Sequence, residues 1–350
     1  MRNAPRTTSL ALLLLAAGCA ATEPFPPAPV EVLVVVNSTA RTLRVVPTAA
    51  PSIGFTIPLG ATSVTPAGLA ARSGIGLVPL GDDDAVAVVD LGLGTVLNTF
   101  ALTGNSGATG AAIIDDSTGY VADPGLNTVT RINYLTGDTA SVAVGVHPQG
   151  LVYTRGKLFV LNGNVDGTLT PLGPSWLTVI DPVTNAKATG IDSIPLLGSG
   201  NARSAAVGAD GLLYVLSAGD SGTGEGRLSI VNPVTRKELS NFGGFGNLPA
   251  ALASTGERLL VASWAEGVMT FDTRLRAVTR GAGEGVAVPT NSSVATGANG
   301  KIYALSAGPC TGGTGGTAHI LRPSDFVEIG TIPLGECAIG AVITTVPVAP

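Results

Sequence analysis

Few residues in this 350-residue sequence could do acid–base or nucleophilic chemistry, because it holds two histidines, three cysteines and only 12% charged residues. His147 lies in Val146-His147-Pro148-Gln149-Gly150, and Arg203 and Glu266 stand in loops further along. A histidine base, a carboxylate and an arginine holding an oxyanion would serve a hydrolase or lyase if the fold brought them together. The same histidine, followed by proline, also reads as a turn residue. His319 opens a strand and reads as a surface or packing residue. Ser204 has no base beside it that the sequence identifies.

Other clusters lose their chemistry on inspection. Asp82-Asp83-Asp84 offers the oxygen ligands Ca²⁺ prefers. It lacks the alternating Asp-x-Asp-x-Asp-Gly pattern and a distal Glu, so a solvated loop is expected. Asp115-Asp116 reads as hairpin chemistry. Gly222-Thr223-Gly224-Glu225-Gly226 looks superficially like a dinucleotide-binding glycine motif, but no helix follows it. With no zinc spacing, haem motif or phosphate loop, the sequence points to no metal and no cofactor.

Composition narrows the classes further. Nineteen Lys and Arg against 24 Asp and Glu leave a net charge of −5, so no nucleic-acid partner is expected. Hydrophobic residues make up 45%, enough for a packed core rather than a disordered chain. The one outstanding apolar run, residues 10–17, is far short of the roughly 18 residues a spanning helix needs.

That run has a different use. Arg2 and Arg6 form a basic start, residues 10–17 an apolar stretch, and Ala16-Ala17-Gly18 precede Cys19. The segment resembles the lipobox of bacterial lipoprotein signal peptides, with Ala16 where Leu is usual. The resemblance implies that residues 1–18 are a signal peptide and that Cys19 becomes the lipid-modified first residue. Acyl chains worth about 0.8 kcal/mol per CH₂ would then anchor the protein in a membrane. Ala20, where an inner-membrane retention signal often has Asp, implies the outer membrane, facing the periplasm or the cell surface. An ordinary secretory signal cleaved near Ala21 is the other reading. Pro24, Pro26, Pro27 and Pro29 make residues 22–29 of the 19–30 tether a polyproline spacer, rising about 3.1 Å per residue and about 25 Å long.

The rest of the chain repeats. A strand ending in Asp, Asn or Pro recurs at 43–47, 86–90, 129–133, 177–181, 228–232 and 268–272, with a seventh copy at 318–322 that ends in Arg322. The 40-to-51-residue spacing suits four-stranded propeller blades. Asp181-Pro182-Val183-Thr184-Asn185 and Asn232-Pro233-Val234-Thr235-Arg236 set an Asx acceptor and a proline for a type I turn. Gly211, Gly256 and Gly300 mark tight hairpins. Small residues fill a further strand of each unit, at 67–72, 108–114, 150–153, 204–207, 250–253, 292–295 and 338–342. Strands crowded at a central axis need small side chains, which accounts for the 48 glycines.

Gly119-Tyr120-Val121-Ala122-Asp123 through Val129-Thr130-Arg131-Ile132-Asn133 resembles one unit of the YVTN-repeat β-propeller family, and Val146-His147-Pro148-Gln149-Gly150 the start of the next. The expected fold is all-β, a seven-bladed β-propeller over residues 31–346, with 347–350 a tail. The domain begins at a second strand and ends with an inner one, so the C-terminal strand should complete blade one and close the ring. Cys310 and Cys337 then fall on one face of neighbouring blades, where a disulfide would pin the seam.

The loops on that face should ring an axial funnel. Candidate binding residues there are Arg203, Glu266, Glu336, His147, Asn201, Asn291 and Trp264, with Asn247 and Trp176 nearby. Related propellers, seven-bladed lactonases and the streptogramin lyase, place catalytic groups in this funnel. That resemblance implies an alternative periplasmic lactonase-like hydrolase or lyase using His147, Glu266 and Arg203. The leading expectation is a non-catalytic binding or scaffold protein, monomeric, joined to the membrane through Cys19, with a protein, peptide or glycan partner. Envelope assembly, a role of other lipoprotein propellers, is a third possibility.

Overall fold

The computed structural model describes residues 28–60, 66 and 68–347; the expected signal peptide, Cys19, most of the spacer, Ala67 and the last three residues lie outside the described residues. Seven antiparallel sheets follow one another around a ring, the arrangement of a seven-bladed β-propeller. Blade five shows the plan, with Ala202–Val207 innermost, then Leu213–Ser217, Arg227–Asn232 and Lys237–Phe242. In blade one the innermost strand is C-terminal. Ala338–Val346 pairs with Val30–Asn37, from Val30 against Val346 to Asn37 against Ala338. The ring therefore closes by the route expected, with no open sheet edge at the seam.

Seven apolar wedges hold the blades together, each filled from two neighbouring sheets. Val34, Leu43 and Ile57 of blade one, for example, meet Val78, Ala87 and Val89 of blade two. Second and third strands are therefore buried on both faces, as in Thr118–Asp123 of blade three, where all six residues are buried. That favours continuous β-branched and aromatic runs over strict alternation.

Because every strand pair is antiparallel, the connections fall on two faces. Turns leading into inner strands and loops between second and third strands share the top face. Inner-to-second hairpins and third-to-outer turns share the bottom face. The bottom turns follow the expected chemistry. Asp181 Oδ1 accepts the Val183 amide at 3.1 Å, and Asn232 Oδ1 accepts Val234 and Thr235, both at 2.9 Å. Each turn closes on a left-handed residue, Asn185 at φ 49° and Arg236 at φ 54°.

Two expectations needed adjustment. The inner strands of blades two and three are shorter than expected, Ala70–Arg72 and Ala111–Ile113. Their leading glycines face the next blade instead: a Cβ on Gly68 or Gly110 would collide with the carbonyl oxygen of Thr109 or Gln149. The outer strand of blade four is split into Ala186–Lys187 and Ser193–Pro195, both paired with Trp176–Asp181, with Gly190 at φ 79° between them.

Candidate axial binding site

Among the described residues, six of the inner strands begin with a common device. A left-handed residue comes first: Gly107, His147, Asn201, Leu248, Thr290 and Cys337, at φ between 48° and 61°. The strand then pairs for one residue and, in five blades, bulges at the next. The bulged residues are Gln149, Arg203, Ala250, Ser292 and Ile339. A bulge leaves one residue out of the ladder and re-aims the chain beside it. Here it turns the heads of the inner strands toward the axis. They enclose a cavity of about 290 Å³, with Thr109, Gln149, Arg203, Ser204, Ser293 and Ile339 among its lining.

Hydroxyls stitch the lining strands across blade boundaries. Thr109 Oγ1 donates to the Gln149 carbonyl at 3.3 Å, and Ser204 Oγ accepts the Leu252 amide at 3.0 Å. Ser293 Oγ accepts the Ala341 amide at 3.2 Å. Gln149 Nε2 donates to Asn201 Oδ1 at 2.9 Å. Ser204 is thus a strand link, with no catalytic base among its bonds.

Arg203 stands apart. It is the one charged side chain in the cavity lining. Among the described residues its guanidinium makes no hydrogen bond and no ion pair, and the side chain is half-buried. Burial alone pushes its pKa down from the ordinary arginine range. Its five N–H donors therefore have no protein acceptor there.

The other expected site residues sit elsewhere. His147 is the left-handed turn residue of blade four, half-buried, its amide donating to Asn127 Oδ1 at 2.8 Å. Burial holds its pKa low, with Asp166 acting weakly in the opposite direction. Glu266 Oε2 accepts the Gly283 amide at 2.9 Å, against the loop that leads to the next blade. Glu336 Oε1 accepts the Gly313 amide at 3.1 Å. Asn201 is buried, donating to the Gly219 carbonyl at 3.2 Å. Asn291 is wholly buried, donating to the carbonyls of Ser293 and Leu305, while its Oδ1 has no partner. Asn247 Oδ1 accepts the Gly222 amide, and Trp264 donates its backbone amide to the Leu248 carbonyl. Trp176 packs over Gly145. Of the seven candidate binding residues, only Arg203 lines the axial cavity.

The acidic and cysteine features are structural. Asp84 accepts the amides of Asn105 and Gly107 and the Ser106 hydroxyl, and the Asn105 bond leads in holding its pKa low. No cluster of three or more His, Cys, Asp or Glu side chains suited to a metal occurs among the described residues. Cys310 and Cys337 form a disulfide that ties a top loop of blade seven to the turn leading into the closing strand. His319 Nδ1 pairs with Glu328 Oε2 at 2.6 Å on the outer part of blade seven, the surface role expected of it.

One buried ionisable group was not foreseen. Asp123 is buried, accepts the hydroxyls of Thr128 and Thr130, and leaves Oδ1 unpartnered. Desolvation pushes its pKa up to about 6.

No family model and no curated protein matches the sequence. The fold does have solved counterparts. A chain of Kuenenia stuttgartiensis hydrazine synthase superposes with a TM-score of 0.63 at 13% identity, over 79% of this chain and 89% of that one. A functionally unknown protein from Desulfotomaculum acetoxidans superposes with a TM-score of 0.67 at 14% identity, over 89% of this chain and 98% of that one. At such identities the likeness extends to the fold and no further.

Proposed function

We propose that this protein is a lipid-anchored propeller of the cell envelope that binds rather than converts its ligand. The ligand is a protein, peptide or glycan that presents a carboxylate or other anionic group to the axial cavity. The observation that carries this reading is Arg203, a half-buried cation lining the axial cavity with no counter-charge among the described residues. A partly desolvated charge with no protein partner is ready to pair, so a bound anion would supply the partner the fold does not. A planar guanidinium takes a carboxylate through two parallel hydrogen bonds. Catalysis is the weaker reading, because Glu266 is spent on a loop amide and His147 on a turn, away from Arg203. The Cys19 lipobox resemblance and the proline-rich spacer support the envelope address.

Calorimetric titration with acetate and with a short peptide bearing a free C-terminal carboxylate tests the ligand class. Binding that disappears in Arg203→Met supports the reading; equal binding to the variant overturns it. Turnover of a lactone panel that is abolished in His147→Ala would restore the enzyme alternative.

A further inference from the structure

The bottom face carries one exposed aliphatic side chain from each blade's third-to-outer connection. They are Ile53, Leu93, Leu135, Val183, Val234, Leu275 and Val327, each at least 50% exposed. Turn tips ordinarily carry polar residues, and single exposed aliphatics need no explanation. A ring of seven on one face is a different matter.

Their orientation is built in. The amides of Leu93, Leu135, Val183, Val234, Leu275 and Val327 each donate to the Asx side chain of their own turn, at 2.7–3.1 Å. The backbone is locked and the side chain is left pointing away from the wedge cores. Arg236 braces neighbouring turns by donating to the carbonyls of Thr189 and Ile191, and Arg258 donates to Pro323. Beside Leu93 an apolar hollow of about 580 Å³ opens between blades one and two, lined by Val30, Phe55, Ile75, Leu91 and Val346.

One further observation says what covers this face. Val30 starts a second strand and so lies on the bottom face, in that hollow, only eleven positions after Cys19. The charge on this face is balanced: its hairpins and turns hold most of the domain's Lys and Arg together with carboxylates such as Asp90, Asp115 and Asp272, and Arg72–Asp116, Lys157–Asp181, Arg274–Glu257 and Arg322–Asp325 pair the two signs.

From these we infer that the bottom face rests on the lipid bilayer, with the seven turn side chains in the headgroup region and the axial cavity's top face turned away from it. The aliphatic tips meet the acyl boundary, and the mixed charges between them stay at the level of the headgroups. The inference rests on the lipid-anchor reading, and adds which face the anchor draws down.

The test uses the full chain bound to vesicles of phosphatidylethanolamine and phosphatidylglycerol carrying a lipid-attached quencher. Val183→Cys and Leu135→Cys are labelled with a fluorophore, and Leu172→Cys, exposed on a top loop, serves as the control. Loss of fluorescence at the two bottom positions and none at Leu172 is the expected result. Equal quenching at all three, or quenching at Leu172 alone, overturns it. So does shielding of the bottom labels before vesicles are added, which would mean that a second copy covers the face. The mass of the Cys19 peptide is read separately. If it carries no acyl group, the anchor reading fails. The same quenching on the unacylated chain at high vesicle concentration then decides the face proposal, and its absence at Val183 and Leu135 overturns it.

Discussion

Asp123 and Asn162 occupy the same place in adjacent blades, the last residue of the second strand, and make opposite bonds there. Asn162 Nδ2 donates to Thr178 Oγ1 at 2.9 Å, and its Oδ1 accepts the Gly145 amide at 2.9 Å. Asp123 instead accepts from Thr130 Oγ1 at 2.7 Å, and its Oδ1 has no partner. Asn37 repeats the Asn162 pattern in blade one, donating to Thr42 and accepting from Gly335. A carboxylate thus stands where the blade plan suits an amide.

Asp123→Asn should therefore stabilise the protein, and only at higher pH. The folded pKa is raised from 3.8 to about 6 by desolvation. The folded state then binds the proton more tightly than the unfolded state does. The stability this contributes is complete below the unfolded pKa and is lost as pH rises through about 6. Urea unfolding should show Asp123→Asn near wild type at about pH 4 and more stable by on the order of 2–3 kcal/mol at about pH 7.5. An equal gain at both values would locate the effect elsewhere.

Gly110→Ala should cost about 1–3 kcal/mol, since the new methyl group would press on the Gln149 carbonyl oxygen of the next blade and force the inner strands apart. Gly167→Ala is the comparison, because nothing lies within 4 Å of a Cβ there. Thermal unfolding should drop for the first and stay put for the second. Equal midpoints would mean the axis has room to relax.

The parts of this fold that the sequence made legible are those carried by local chemistry or by counting. The bottom turns announced themselves because Asp181 and Asn232 must sit where their side chains can accept the next amides. Ring closure followed from a chain that starts on a second strand and ends on an inner one. Which top-face groups reach the axis was not legible. Arg203, Glu266 and Glu336 look alike as loop residues, and a one-residue bulge is what separates the first from the others. His147-Pro148-Gln149, Asn201-Ala202-Arg203 and Cys337-Ala338-Ile339 share that backbone, yet neither their left-handed residue nor their bulged residue is of a common type. A left-handed residue other than Gly leaves too weak a compositional mark to find it.

The disulfide offers a test of the seam. Cys310 and Cys337 are 27 residues apart, a loop whose closure is worth about 3 kcal/mol in the unfolded chain. Cys310→Ala should lose roughly that much, and hydrogen exchange should rise first in Ala338–Val346 and its partner Val30–Asn37. A uniform rise in exchange around the ring would show that the bond supports the whole propeller rather than its closure. Two free thiols in the purified protein would remove the basis for the prediction.

Replacing Arg203 separates a binding role from a structural one by the sign of a stability change. A cation held for the fold's sake would have partners whose loss destabilises, and truncating one member of a buried pair typically costs about 3–5 kcal/mol. Arg203 has none among the described residues, and burial works against its charge. Arg203→Met keeps an unbranched apolar stem of similar reach and removes the charge. The variant should unfold about 1 kcal/mol later than wild type while losing the carboxylate ligand, the trade expected where a site is kept at the expense of stability. Wild type saturated with ligand should recover the difference, since binding to the folded state alone raises stability. A variant that melts below wild type would assign Arg203 to the architecture of the axis and return the search for a binding site to the outer loops.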